Sequence, residues 1–358
     1  MRARAIDVVL AAFAHEEPER VPRAASLAPA LLDAFRRKTG ADRPEDYWDF
    51  EVRDVWFAAT SRKTDFSGCF PEALSHKITH VDEWGIGFIP GSTHHFEDYV
   101  HPMADFTTLK DLEGYPWPDV TAVYRRSNVP DAIDSLHERG YAVRGCPPMA
   151  NGSVFENAWL LRGLEQLLVD FVENQEFAEL LLDRITAFQM ENARYLANCD
   201  ADILLTGDDV GTQRGMMMSP SMWRKWLKCR LAGIIAAARA QKPGIHVFYH
   251  SDGDIRAIIP ELIDIGVDVL NPVQPECMDP GELKRLYGDR LSFWGTIGTQ
   301  TTMPFGTPAE VRRVVNERIR TVGRGGGLLL SPTHMLEPDV PWENVVAFFE
   351  AVDECARK

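Results

Sequence analysis

Residues 246–298 read HVFYHSDGDIRAIIPELIDIGVDVLNPVQPECMDPGELKRLYGDRLSFWGTIG, and they alternate short apolar runs with amphipathic segments. The runs HVFYH, VDVLN and LSFWG are rich in β-branched and aromatic residues, which is typical of strands buried on both faces. IRAIIPELIDIG and PGELKRLYG have the periodicity of helices. Strands that alternate with helices in this way indicate βα units and a parallel sheet.

The same alternation extends over residues 140–358. YAVRGC, ADILLTGDD and GGLLLSPTH are expected to be strands, and residues 154–199 are expected to form one long helix. At least six βα units in this length predict an α/β fold with a closed (β/α)₈ TIM barrel. A doubly wound open sheet is the alternative, but the sequence has neither a GxGxxG motif nor a P-loop. We therefore expect residues 1–358 to form a single barrel domain.

Residues 1–120 are expected to contain an N-terminal helical extension and the first elements of the domain. The N-terminus MRARAIDVVLAAFAHEEPERVP has a short apolar stretch that His15, Glu16 and Glu17 follow at once, so an amphipathic helix fits better than a signal peptide. Residues 80–102, HVDEWGIGFIPGSTHHFEDYVHP, suggest a hairpin-like insertion with His94 and His95 in a surface loop.

Composition excludes some classes of function. The formal net charge is −15, and phosphate binding needs clustered Lys and Arg, so nucleic acid is a poor partner. The six cysteines are scattered without a CxxC pair, which favours a reducing cytoplasm over a disulfide scaffold. No apolar run approaches the ~20 residues of a membrane-spanning helix.

Polar groups follow five successive predicted strands. Catalytic groups of a (β/α)₈ barrel lie where its strands end, at the carboxyl-terminal face. The candidates are Asp208, Asp209, Tyr249, His250, Asp252, Asn271, Gln274, Glu276, Cys277, Trp294, Thr296 and His334. Their concentration at one face is more informative than any single residue.

Several of these candidates form a zinc-ligand set. Imidazole, thiolate and carboxylate are the ligands of zinc, and a catalytic zinc ion takes three protein ligands and keeps one position open. We expect His250, Glu276, Cys277 and His334 to bind the metal. Taken alone, His334 also fits a hydrogen-bonded core histidine, and Cys277 fits an ordinary buried thiol. Asp208 and Asp209 either cap the following segment or contact substrate.

Residues 250–315 and GGGLLLSPTHMLEPDVPWENV resemble the uroporphyrinogen decarboxylase superfamily, as do EEPERVP and GDDVGTQRGMMMSPSMWRKWLK. The resemblance covers nearly the whole chain and implies a (β/α)₈ barrel with its active site at the barrel mouth. One branch of the superfamily decarboxylates uroporphyrinogen without a cofactor and binds its carboxylates through an arginine-rich RQAGRY segment. The corresponding region here, RVPRAASLAPALLDAFRR, lacks that motif, which argues against a tetrapyrrole substrate.

The other branch contains zinc methyltransferases that exchange a methyl group between a small molecule and a cobalamin on a partner corrinoid protein. Thiol-specific members have a His-x-Cys pair and a later Cys. Here the pair reads His250-Ser251-Asp252, and the later position falls at His334. A site with more N and O ligands is a stronger Lewis acid than a thiolate site. We therefore expect an O-methylated substrate, such as a methoxyaromatic compound.

The resemblance also sets out roles and partners. Asp208, Asp209, Tyr249 and Asp252 are candidates for catalysis, and Trp294, Thr296, Asn271 and Gln274 for substrate binding; Tyr249, Phe293 and Trp294 are candidate walls for an aromatic ring. The sequence has no DxHxxG motif, so the corrinoid is expected on a partner protein. Members of this superfamily often form homodimers. A cofactor-free decarboxylase and a non-catalytic binding protein are the alternatives.

Overall fold

The computed structural model describes residues 3–91 and 97–355, and the predicted surface loop with His94 and His95 lies outside them. The strands are β1 Val52–Trp56, β2 His80–Val81, β3 Gly87–Pro90, β4 Glu97–Val100, β5 Ala142–Cys146, β6 Ile203–Gly207, β7 Gly211–Thr212, β8 Gly215–Met216, β9 His246–His250, β10 Val269–Asn271, β11 Ser292–Ile297 and β12 Leu328–Pro332.

Helices flank the strands throughout the described chain. The first ten are α1 Ala5–Phe13, α2 Pro29–Thr39, α3 Pro44–Tyr47, α4 Glu72–Ser75, α5 Leu109–Glu113, α6 Val123–Arg126, α7 Val129–Glu138, α8 Phe155–Arg162, α9 Leu164–Glu173 and α10 Gln175–Asn198. The others are α11 Pro220–Trp223, α12 Cys229–Arg239, α13 Ile259–Ile265, α14 Pro280–Tyr287, α15 Thr302–Phe305, α16 Pro308–Thr321 and α17 Trp342–Cys355. None of these helices is long and apolar enough to cross a membrane.

Seven strands form one curled parallel sheet in the order β1-β5-β6-β9-β10-β11-β12, which is a TIM-barrel-like α/β fold. The segment before α2 adds parallel bridges from Arg23 to Leu330 and from Leu27 to Leu336. It therefore lies beside β12, where an eighth strand would be, without forming a regular ladder.

The inner side of the sheet has its own hydrophobic cluster. Each of the seven strands contributes one buried side chain, and α1 adds Val9, Ala12 and Phe13. The strand residues are Val52, Ala142, Ile203, Phe248, Val269, Trp294 and Leu329. Because side chains alternate between the faces of a strand, neighbours such as Tyr249 belong to the outer core instead. This alternation determines which strand-end residues reach the barrel interior.

Most strands and helices beyond residue 140 agree with the sequence-based prediction. The predicted helix over residues 154–199 is instead three helices, α8 to α10, separated at Gly163 and Asn174. Gly163 has φ +91°, which a residue with a Cβ adopts only with strain. β2, β3 and β4 form an antiparallel sheet within residues 80–102, the segment in which a hairpin-like insertion is predicted.

Candidate metal and substrate site at the barrel mouth

His250 ends β9 and is held from the neighbouring strand. Its Nδ1 atom lies 2.6 Å from Oδ1 of Asn271, the residue that pairs with it on β10. The amide nitrogen of Asn271 donates to the carbonyl of Trp294 at 3.0 Å, so its oxygen faces the imidazole. Nδ1 must then carry the proton, and Nε2 of the neutral ring keeps its lone pair for another partner.

The carboxylates of Asp209 and Asp252 lie close to the His250 imidazole. Oδ1 of Asp209 lies 3.6 Å from Nε2 of His250 and accepts a hydrogen bond from the Asp252 backbone N–H at 2.7 Å. Among the described residues, Asp209, His250 and Asp252 form the one group of three that could hold a metal ion, with ligand atoms within 4.8 Å of one another. An imidazole and two carboxylates suit zinc as well as harder divalent ions.

Gly207, the last residue of β6, allows Asp209 to lie close to His250. Gly207 has φ +157°, and a Cβ at this position would lie 2.5 Å from the His250 carbonyl oxygen. Any other residue at position 207 would push β6 away from β9. Glycine therefore lets the loop that carries Asp209 leave the sheet directly against His250.

Burial and the neighbouring charges shift the pKa values of His250 and Asp252. Burial alone would lower the pKa of His250, but the carboxylates of Asp209 and Asp252 outweigh it and raise that pKa. Burial raises the pKa of Asp252, and the imidazoles of His250 and His334 partly offset this effect. The two carboxylates therefore favour a positive charge beside them. A proton on His250 supplies that charge, and a bound divalent cation would supply it in place of the proton.

Asp208 has a different place from its neighbour. It is buried, and its carboxylate accepts hydrogen bonds from the backbone N–H groups of Val154 and Glu156 at 3.0–3.2 Å. These N–H groups lie at the start of α8, so Asp208 caps that earlier helix rather than the segment that follows it. Burial raises its pKa well above the usual value, and Glu156 adds to this.

Glu156 was not predicted from the sequence. Its Oε2 accepts the Asp209 backbone N–H at 2.9 Å, and its Oε1 accepts a hydrogen bond from Asn151 at 2.7 Å. Burial, with repulsion from Asp209, raises its pKa to about 7. A glutamate in the first turn of α8, a helix that is buried on nearly all sides, gives no signal in the sequence, because its position depends on the loop after β6.

Glu156, Asp209 and His250 line a large cavity of about 1220 Å³ at the barrel mouth, whereas Asp208 and Asp252 are not among its lining residues. Asp209, His250, Asn271 and Trp294 border it, as does His334, which is exposed at the rim. Of the predicted candidates, the structure thus brings these five to the same space.

The remaining predicted residues lie elsewhere. Tyr249 points to the outer core, where its hydroxyl is 3.4 Å from the Asp208 carbonyl. Gln274 and Thr296 are buried, and Phe293 also lies in the outer core.

Glu276 and Cys277 are not brought to His250. They follow β10 in the loop beyond Asn271, where Glu276 accepts a hydrogen bond from Thr301 at 2.7 Å and the Cys277 thiol lies 3.2 Å from Oε1 of Gln213. Both are absent from the three-residue group defined by Asp209, His250 and Asp252. Their position depends on the path of the loop after β10, which the strand pattern of the sequence does not determine.

The fold and site together define a TIM-barrel-like protein with a metal-capable group at the strand ends. The chain belongs to the uroporphyrinogen decarboxylase (URO-D) family, whose sequence profile matches residues 86–355. Uroporphyrinogen decarboxylase of Pseudomonas savastanoi pv. phaseolicola is 25% identical over 297 residues, which are 78% of this chain and 77% of that protein.

Two other proteins are similar to this chain, one in sequence over about half its length and one in structure over nearly all of it. Uroporphyrinogen decarboxylase of Coxiella burnetii is 23% identical over 181 residues, and the match spans about half of each chain, 50% here and 47% there. A methyltransferase from Methanosarcina mazei has a similar structure, with a TM-score of 0.69, 19% identity and 99% of both chains covered. At this identity the likeness shows a shared fold.

Proposed function

We propose that this protein is a zinc-dependent methyltransferase that takes a methyl group from a small O-methylated compound, such as a methoxyaromatic one. The acceptor in this proposal is the cobalamin of a partner corrinoid protein, and we place the activity in the cytoplasm. The observation that carries the proposal is the group of Asp209, His250 and Asp252, whose ligand atoms lie within 4.8 Å of one another.

The chemistry of the donors fits a catalytic zinc site. His250 has its Nδ1 hydrogen bonded to Asn271, which is the outer contact that metal-binding histidines commonly make. Asp209, His250 and Asp252 would hold the ion, and zinc, when bound, would supply Lewis-acid polarisation of an ether oxygen. Three protein ligands leave a position for that oxygen.

The protein's own residues have separate tasks in this scheme. Asn271 fixes the ring orientation of His250, and Glu156 holds the Asp209 backbone by accepting its N–H. Trp294 borders the cavity and offers an aromatic wall to a substrate ring. His334 stays in the proposal as a rim residue whose imidazole acts electrostatically on Asp252.

The corrinoid partner follows from the resemblance to the methyltransferase branch and is supported by the fold shared with the Methanosarcina mazei methyltransferase. The cavity opens at the mouth of the barrel, which is where a partner protein could present a cofactor.

A cofactor-free decarboxylase is the second candidate, favoured by the family name and by the curated relatives. The arginines at the start of the segment that corresponds to the decarboxylase motif do not support it. Arg20 is buried in an ion pair with Glu51 at 2.8 Å, and Arg23 is buried against Asp353 and the Trp48 carbonyl. Neither guanidinium is free to bind the acidic side chains of a tetrapyrrole.

The test is methyl transfer to reduced cobalamin. The zinc-loaded protein is incubated anaerobically with cob(I)alamin and methoxybenzenes, and the change in cobalamin absorbance is recorded while the demethylated phenol is quantified by chromatography. We expect methylcobalamin and phenol in equal amounts, with His250→Ala inactive. Loss of a carboxyl group from uroporphyrinogen at a rate independent of zinc would instead establish the decarboxylase.

A further inference from the structure

The cavity that contains His250 also contains an ion pair that the proposed reaction does not use. Arg144 on β5 donates from Nε and Nη2 to the two carboxylate oxygens of Asp54 on β1, at 2.8 Å each. The two residues face each other in the parallel register of β1 and β5, and both border the cavity. The Arg144 side chain is 17% exposed and that of Asp54 is 34% exposed, so the pair is accessible from the cavity.

The Arg144 guanidinium is held between aromatic rings. Its Cζ atom lies 4.8 Å from the ring centroid of Phe248 and 4.9 Å from that of Trp294. The two rings meet edge to face, with centroids 5.0 Å apart. This cation–π contact fixes the plane of the guanidinium and adds an apolar surface beside it.

One edge of the guanidinium remains available. Within the described chain, Asp54 provides the only oxygen atoms that accept a hydrogen bond from Arg144, and the buried Cys146 thiol is a further polar neighbour. Asp54 engages Nε and one N–H of Nη2, which leaves two N–H groups on Nη1 and one on Nη2 without a bonded oxygen in the described chain. These N–H groups can therefore donate hydrogen bonds to a ligand oxygen in the cavity.

The position of the ion pair relative to His250 sets the shape of the ligand. Phe248 precedes His250 by two residues on β9, a rise of about 7 Å along the strand. A benzene ring with substituents at opposite ends has about this length, and this match is the reason for placing one end at His250 and the other at Arg144 in the inference below. Trp294 and Phe248 offer the ring an apolar contact.

We infer that Arg144, oriented by Asp54, binds the carboxylate of an aromatic acid whose methoxy group lies at the Asp209–His250–Asp252 group. This inference rests on the proposed function, since it names the substrate class for the same cavity. A carboxylate is the acceptor that best matches two N–H groups of a cation, because charge-assisted hydrogen bonds are about twice as strong as neutral ones. Asp54 orients the guanidinium, and its negative charge opposes the binding of a second carboxylate.

Equilibrium binding tests this without any methyl transfer. Titration calorimetry on the intact zinc-loaded protein would compare 4-methoxybenzoate with 4-methoxybenzamide and methoxybenzene. We expect the benzoate to bind at least about tenfold more tightly than either neutral analogue, in line with a charged hydrogen bond. Arg144→Gln is expected to remove that preference, whereas Asp54→Asn, which removes a like charge, is expected to keep or strengthen it.

Two controls separate recognition from structural damage. The double variant Asp54→Asn/Arg144→Gln has no unpaired buried charge and is expected to bind the benzoate as weakly as Arg144→Gln. If Arg144→Gln fails to fold, as judged by circular dichroism, the double variant and Asp54→Asn carry the test. Benzoate binding that is unchanged without Arg144, a wild-type preference for the neutral analogues, no binding of any probe, or weaker binding in Asp54→Asn would overturn the inference.

The outcomes also separate this inference from the proposed function. Selective binding of 4-methoxybenzoate through Arg144 without its demethylation would refute the methyltransferase and leave the carboxylate site standing. Demethylation of methoxyphenols without selective benzoate binding would refute only the carboxylate site.

Discussion

Oδ1 of Asn271 lies 2.6 Å from Nδ1 of His250, and this contact joins the ends of two adjacent parallel strands. Because the Asn271 amide nitrogen is committed to the Trp294 carbonyl, the oxygen cannot exchange places with it without losing that bond. The imidazole therefore presents Nε2 to Asp209 in a fixed orientation. In our account, this pair is the support on which the metal affinity of the site depends.

Replacing Asn271 tests that support. We expect Asn271→Ala to weaken zinc binding about 10- to 100-fold, the usual cost of losing an outer-shell partner of a histidine ligand. Competition with a chromophoric chelator measures the affinity. Asn316→Ala, on α16 and away from the cavity, is the control and should leave it unchanged. An Asn271→Ala protein with wild-type zinc affinity would show that the contact has no role in metal binding.

Asp208 and Asp209 are adjacent but should respond oppositely. Asp208→Ala removes the cap of α8 and is expected to lower the free energy of unfolding by about 0.5–2 kcal/mol, the typical range for a lost N-cap. Asp209→Asn should instead abolish zinc binding with a smaller effect on stability. Urea unfolding of the metal-free proteins and zinc titration measure the two properties. The account fails here if Asp208→Ala loses the metal while Asp209→Asn keeps it.

Glu156 should make the stability of the metal-free protein depend on pH. Its pKa is raised from 4.5 to about 7, so between these values the folded state binds a proton that the unfolded state has released. The stabilisation is full below about pH 4.5 and is lost as pH rises through 7. The unfolding free energy of wild type relative to Glu156→Gln should fall by up to about 3 kcal/mol across this window. Urea unfolding between pH 4.5 and 8 gives the difference, and a pH-independent difference would contradict the assignment.

Glu276 and Cys277 distinguish the ligand set expected from the sequence from the one proposed on the structure. Glu276→Gln and Cys277→Ser should both retain wild-type zinc content, since these side chains contact Thr301 and Gln213 instead of His250. Elemental analysis of protein purified without chelator provides the measurement. Loss of zinc from either variant would restore the sequence-based ligand set.

The sequence predicts the fold well where strands are apolar. From β9 to β12 every strand is mostly apolar, and each was located because both faces of the sheet are buried. β1 was missed because VRDVW carries two charges. Arg53 packs over the Tyr141 ring at 4.2 Å, and Asp54 pairs with Arg144. Such tertiary partners cannot be read from a local pattern.

The site was predictable only in part, for two geometric reasons. The ends of parallel strands meet at one face, which correctly groups His250, Asn271 and Asp209. Alternation along β9 turns Phe248 and His250 inward and Tyr249 outward, a distinction that the period of a strand would have allowed. Glu156 and Arg144 could not be inferred, because their approach depends on how distant segments pack.

Zinc content is the most direct test of the central claim. Wild type, His250→Ala, Asp209→Asn and Asp252→Asn would be purified without chelator, reconstituted with zinc, desalted and analysed by plasma mass spectrometry. The account predicts about one zinc ion per wild-type chain and a large loss in each variant, all of which remain folded. Zinc retained at the wild-type level in all three variants, or absent from wild type after reconstitution, would contradict it.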